Sequence, residues 1–346
     1  MTAQAPQLEK TKLSDVLKQR IVILDGAMGT MISQYKLSET DFRNASLAQH
    51  PIDLKGNNEL LNITRPEIIR QIHEQYFLAG ADIVETNTFG ANSISQGDYQ
   101  TQSYVRELNL AAVTLAREAR ESALKKLNQP NKPLWIAGAL GPTPKTASIS
   151  PDVADPAKRN VDFETLEKSY FEQVDALIEA GADLILIETI FDTLNAKAAI
   201  FATQRCFETR KITLPIMISG TVTDASGRIL SGQTVEAFLR SIEHARPLTV
   251  GLNCALGAAL MRPYIEELAH KSGAYICVYP NAGLPNPMSD TGFDETPPIT
   301  AGLLQDFANA GLVNLVGGCC GTTPEHIAAI AKAVQNLPPR TITKTQ

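Results

Sequence analysis

The chain has 346 residues, of which 44% are hydrophobic and 20% charged, and a formal net charge of −6. This is the composition of a globular protein large enough to bury a core without staples, and its mild acidity excludes the clustered Lys and Arg of a nucleic-acid surface. No apolar stretch is long enough to span a membrane, and the polar stretch 1–20 lacks the apolar centre of a signal peptide, so a cytoplasmic location is expected.

Residues 1–12 read as a flexible tail, 13–337 as a single domain, and 338–346, PPRTITKTQ, as a tail or linker. Within the domain, eight short apolar runs alternate with long amphipathic stretches. The runs are IVIL at 21–24, DIVE at 82–85, WIAGAL at 135–140, LILIE at 184–188, PIMIS at 215–219, TVGLN at 249–253, YICVY at 275–279 and VNLVG at 313–317. Each is almost wholly apolar, as a strand covered on both faces must be. Among the intervening helices, one starts at Pro66 and stops at Gly80, another stops at Gly181, and a third starts at Thr323 with Pro324 in its first turn. Eight strand–helix units predict a (β/α)8 TIM barrel. The alternative, an open doubly wound sheet, is disfavoured because the first strand runs into LDGAMGT rather than a Gly-rich phosphate fingerprint. Three long connections, 26–62, 141–162 and 281–298, should lie on the C-terminal face, where barrels place their chemistry.

The strand ends are polar. Asp25, Glu85 and Glu188 close strands one, two and four; Asn253 and Cys254 close strand six, Asn281 follows strand seven, and strand eight runs into GGCCGTTP with Cys319 and Cys320. Three thiols at the ends of strands six and eight can meet at one point. Zinc favours four tetrahedral ligands, so three thiolates leave one position open, as in a catalytic site. Gly317, Gly318 and Gly321 would let the backbone bend so that two successive cysteines face one ion. The competing reading, cysteine as a small buried hydrophobe, is preferred for Cys206, mid-helix, and for Cys277, inside a strand. The three carboxylates suit an ammonium group, acid–base work or a metal, but strand-end carboxylates also cap helices and turns. No histidine lies at a strand end, which removes support for a hydrolase triad, and no strand-end lysine offers a Schiff base for an aldolase.

The motifs ILDGAMGTM, GADIVETNTFGAN, GLNCALG, YPNAGLP and VGGCCGTTPEHI resemble the homocysteine S-methyltransferase family. With DLKGNNELLNITRPEII, KTASISPDVADP, LILIETIFDTLNAKAA and ISGTVTDASGRILSGQT, they look closest to the N-terminal homocysteine-binding module of cobalamin-dependent methionine synthase. The resemblance spans about 13–337. It implies a barrel with one zinc held by Cys254, Cys319 and Cys320, with the homocysteine sulfur as the fourth ligand. The amino-acid end of homocysteine would lie near Asp25, the Gly26–Ala27 backbone and Glu188, with Glu85 and Asn253 also in the substrate pocket. Asn281 would occupy the fourth zinc position through its amide oxygen when substrate is absent. The implied reaction is methyl transfer to the homocysteine thiolate, forming methionine, with methylcobalamin as donor. That donor would be bound elsewhere, on a cobalamin- and folate-binding partner or on further domains, since the chain carries none. Two alternatives stand beside it. One is a stand-alone methyltransferase using S-methylmethionine or betaine; the other is a module that binds homocysteine and zinc without turnover. No nucleic acid or membrane partner is expected.

Overall fold

The structure, a computed structural model, describes residues 11–223, 226–289 and 292–342. Its strands are β1 (Val22–Ile23), β2 (Ile83–Glu85), β3 (Trp135–Leu140), β4 (Leu184–Ile190), β5 (Ile216–Gly220), β6 (Thr249–Gly257), β7 (Tyr275–Asn281) and β8 (Leu315–Val316). All neighbours pair in parallel, in the order β1-β8-β7-β6-β5-β4-β3-β2. A parallel bridge between Leu24 and Ile83 joins the two ends of that order, so the sheet closes into the expected single-domain (β/α)8 barrel.

The helices form where the sequence carries their start and stop chemistry. The helix Pro66–Leu78 begins on a proline whose missing N–H would have had no helical partner. The helix Phe163–Ala180 is capped by the Asp162 carboxylate, which accepts from the Thr165 N–H at 2.8 Å, and ends at Gly181 with φ of 89°. The helix Pro324–Val334 starts in a box between Thr323 and His326.

Two apolar layers result from the period-two alternation of the strands. Outward residues such as Ile23, Val84, Ile185, Ile187, Val250 and Leu252 meet the surrounding helices. Inward residues Val22, Leu24, Ile83, Leu184, Leu186, Met217, Cys277 and Tyr279 fill the barrel, together with Leu13, Val16 and Leu17 from the helix Leu13–Gln19. That first helix plugs the N-terminal mouth. Carried two residues further, the same alternation turns Glu85, Glu188 and Asn281 inward at the other mouth.

The long connections do follow β1, β3 and β7 and so sit on the C-terminal face. The first contains short helices, Met28–Gln34 and Leu61–Thr64, with 3-10 turns between them. Strand bounds shift at the far side: β8 keeps only two residues of the predicted five, whereas β6 and β7 extend to Gly257 and Asn281. The expected tails are partly outside the described residues, at 1–10 and 343–346. The reading of 338–346 as a loose end needs correction at Arg340, which is 7% exposed. Its guanidinium donates to the carbonyls of Ala269, Ser272 and Ala274 at the end of the helix Ala258–Lys271, and Asn314 holds its own carbonyl. A cation at a helix C-terminus satisfies carbonyls that would otherwise be orphaned.

Candidate active site

The thiols gather at the C-terminal mouth. The Cys254 and Cys320 sulfurs lie 3.9 Å apart and those of Cys319 and Cys320 4.0 Å apart. All three lie within 4.8 Å of one another, each half-buried. Tetrahedral zinc with Zn–S bonds of about 2.3 Å would separate its sulfurs by about 3.8 Å, so the donor set fits that ion.

Each thiol reaches the cluster by a local departure from regular strand. In β6 the pairing register shifts between Asn253 and Gly257, and Cys254 and Ala255 take left-handed φ values of 57° and 51°. Non-glycine residues seldom do this, and such strain concentrates at functional sites. Beyond β8 the glycines act differently from the sequence expectation. Gly317 and Gly318 are not left-handed; they permit close approach instead. A Cβ on Gly317 would lie 2.7 Å from the Leu24 Cβ, and one on Gly318 would lie 2.4 Å from the Thr322 hydroxyl. Only Gly321, with φ of 81°, makes the bend that turns the chain past Cys320.

Proximity splits the thiol acidities. Cys254 is drawn down to about 3 because Cys319 and Cys320 can donate to its thiolate. Those two thiols are pushed up, Cys320 to about 11, chiefly by sharing hydrogen bonds and charge with Cys254. One thiolate is therefore favoured in the bare cluster, and holding three requires a cation. By contrast Cys206 and Cys277 are buried singly, and burial pushes both up to about 12. They are core residues, as expected.

The carboxylates line the same cavity, of about 310 Å³, as the thiols. Asp25 is 2% exposed; one oxygen accepts from the Glu85 N–H at 3.1 Å, and the other has no partner among the described residues. One oxygen of Glu85 is also unpartnered. Burial raises all three carboxyls, Glu188 to about 8 with the Cys254 charge adding to it, and repulsion from Glu188 adds to the effect at Asp25 and Glu85. Among the described residues, no lysine, arginine or histidine lines this cavity. Two buried acids and a half-buried third without a cation form a site that a ligand's ammonium would complete.

The remaining expected residues divide. Gly26 and Ala27 line the cavity, although the Ala27 N–H already donates to the Thr322 hydroxyl at 3.2 Å. Asn281 is buried, and its Oδ1 has no partner among the described residues. It also stands beside Cys254, whose thiolate it helps to hold. Asn253 lies beneath the cavity. Its Oδ1 accepts from the Thr189 N–H and the Ser219 hydroxyl, at 3.0 and 2.7 Å, while its Nδ2 donates to the Thr189 hydroxyl and lies 4.0 Å from the Cys319 sulfur. With both ends engaged, it orients its neighbours.

Several wall residues were not singled out from the sequence. Glu59 and Asn58 come from the first long connection, Phe89 and Asn87 follow β2, and Thr189 and Tyr279 sit on β4 and β7. Glu59 accepts from the Gly90 N–H at 2.6 Å. The inward period of YICVY pointed to Tyr279; nothing local marks Glu59, whose position depends on how the long connection folds back.

A family model described as homocysteine S-methyltransferase matches residues 22–334. The chain belongs to this family. It is similar to the homocysteine methyltransferase MmuM of Escherichia coli in its oxidised form, with 25% identity and a TM-score of 0.69 over 92% of this chain and 97% of that one. The metallated form of MmuM superimposes with the same TM-score, 0.69, at 23% identity over 92% and 98% of the two chains, a likeness of fold. In this member of the family the thiols and the acids thus share one cavity at the barrel mouth.

Proposed function

We propose that the chain transfers a methyl group to the homocysteine thiolate, forming methionine, with zinc held by Cys254, Cys319 and Cys320. The observation that carries this reading is the meeting of three thiols with three uncompensated acids in one cavity. When bound, zinc supplies the Lewis acidity that keeps a thiol ionised near neutral pH. Asn281, through its unpartnered amide oxygen, is the stand-in ligand when homocysteine is absent.

The protein's own residues then orient the substrate. Asp25, Glu85 and Glu188 receive its ammonium group, whose single positive charge favours an ionised carboxylate beside it. The Gly26–Ala27 turn and the start of the helix Met28–Gln34 border its carboxylate. Both ends held, the sulfur faces the mouth, and a fixed attack geometry replaces a random encounter. The new S–CH3 bond forms as the donor's bond to that methyl breaks, and the bonding pair leaves with the donor. No general base is required at an already ionised sulfur.

As donor we propose methylcobalamin carried by a partner domain or protein, on the strength of the motif resemblance. The second reading is a stand-alone enzyme using S-methylmethionine or betaine. Methionine formation by the zinc-loaded chain, assayed separately with free methylcobalamin, S-methylmethionine and betaine, decides between them. Turnover with methylcobalamin alone supports the first, and turnover with a sulfonium or betaine supports the second. Binding of homocysteine and zinc without turnover on any donor would reduce the chain to a binding module.

A further inference from the structure

Two of the three thiols, Cys319 and Cys320, sit on the loop after β8, and the amino-acid pocket begins on the loop after β1. Backbone pairing of these two strands covers only Val22 with Leu315 and Ile23 with Val316. Beyond it the seam is closed by other means. Thr322 is fully buried, and its hydroxyl donates to the Cys319 carbonyl at 2.7 Å while accepting from the Ala27 N–H at 3.2 Å. The Tyr76 phenol reaches from the helix Pro66–Leu78 to the carbonyls of Ala27 and Thr322, at 3.1 and 3.3 Å. The Gly318 N–H donates to the Asp25 carbonyl at 3.1 Å, and the Gly321 N–H to the Thr30 hydroxyl at 3.0 Å. The glycines are fitted to this seam: a Cβ on Gly26 would lie 2.7 Å from the Thr322 hydroxyl and 2.9 Å from the Tyr76 ring.

We infer that Thr322, supported by Tyr76, is a positioning residue that fixes the distance between the sulfur site and the amino-acid pocket. It thereby sets the length of thiol amino acid the enzyme accepts. The inference rests on the site assignment above. Neither side chain is on the cavity wall, so each acts through the loops it joins. A hydroxyl that bonds both loops is a short, stiff link, and two such links leave little freedom along the seam. Homocysteine and cysteine differ by one methylene, a length difference of about 1.3 Å along the chain. Misplacement on this scale changes rates by about a hundredfold when it falls on reacting groups. Holding the two loops at fixed separation therefore discriminates between the two thiols without any further contact to either.

The test uses Thr322→Val, which keeps the shape and removes the hydroxyl, with Thr322→Ser as the conservative rescue. Zinc content is measured first, then homocysteine and cysteine are titrated calorimetrically into zinc-loaded protein. Thr322→Val is expected to keep one zinc per chain, to bind homocysteine about tenfold more weakly, and to lose most of its preference over cysteine. Thr322→Ser should recover both affinity and preference. Tyr76→Phe should shift them the same way by about threefold, and it guards against a misfolded Thr322→Val protein. An unchanged preference in Thr322→Val and Tyr76→Phe, with zinc retained, would overturn the inference. So would loss of zinc with equal weakening of both thiols, the mark of a merely structural role. Wild-type protein that binds neither zinc nor homocysteine would instead overturn the site assignment.

Discussion

The two ends of the barrel treat the same kind of residue in opposite ways. At the N-terminal end, the aspartates that lead into β2 and β4 are paired with arginines: Asp82 with Arg20 at 2.6 Å and Asp183 with Arg120 at 2.8 Å. Both aspartates also accept strand N–H groups, from Ile23 and Ile136. At the C-terminal end the same two strands present a half-buried Glu85 and a buried Glu188, with no cation among the described residues lining their cavity. One end is neutralised, plugged by an apolar helix and finished. The other holds uncompensated acid and strained backbone at Cys254, Ala255 and Thr189. A barrel built this way separates stability from chemistry along its axis, so changes at either end should have different signatures.

The largest effect is expected at the thiols. Cys319→Ala should abolish zinc binding and cut methyl transfer by at least about a thousandfold, with the unfolding free energy changed by only about 1 kcal/mol. Metal analysis, turnover and urea unfolding on one preparation check this. Retained zinc or activity would break the assignment of the mouth as the chemical end.

Asp82→Ala should do the reverse. It strands Arg20 and removes the acceptor for the Ile23 N–H, costing about 2–3 kcal/mol in urea unfolding, with part of the loss moderated because Arg20 can rehydrate. Homocysteine affinity should stay within twofold of wild type. A selective loss of affinity would dissolve the division between the ends.

Glu188→Gln sharpens the comparison from the other side. Zinc content should be normal, while homocysteine binds about tenfold more weakly, about 1.4 kcal/mol. The proton balance adds a second readout. With Glu188 held up to about 8 in the empty cavity, it carries a proton at pH 7, and the ammonium must displace it. Binding therefore weakens as pH falls below about 8, and the variant should release one proton fewer on binding, measured by calorimetry in buffers of different ionisation enthalpy. Equal proton release in both proteins would remove Glu188 from the ammonium site.

The sequence makes the working end partly readable. Period-two runs of apolar residues mark each strand, and the polar residue that ends a run falls at the mouth, which is why Asp25, Glu85, Glu188 and Cys254 could be named. What a run cannot show is where it bends. The bulge in β6, the close approach of Gly317 to Leu24 and the seam through Thr322 depend on residues about 25 to 300 positions apart in the chain. Asn253 was named as a polar residue closing strand six and expected in the pocket; its amide is engaged by Thr189 and Ser219, contacts visible only once β4, β5 and β6 lie side by side. Glu59 escaped for the same reason, coming from a connection whose fold no local pattern dictates. At the quiet end Arg340 was hidden by its company, a polar, proline-led stretch that looks like a linker.

In the proposed site three thiolates hold a metal ion with one position left for the substrate's sulfur. Cobalt substitution followed by homocysteine titration reads out this ligand set, because each thiolate bound to cobalt adds charge-transfer absorption in the near ultraviolet. The cobalt-loaded chain is expected to show an intensity typical of three thiolates, rising by about one third when homocysteine saturates the site. No change on adding homocysteine, or a starting intensity matching a single thiolate, would contradict it.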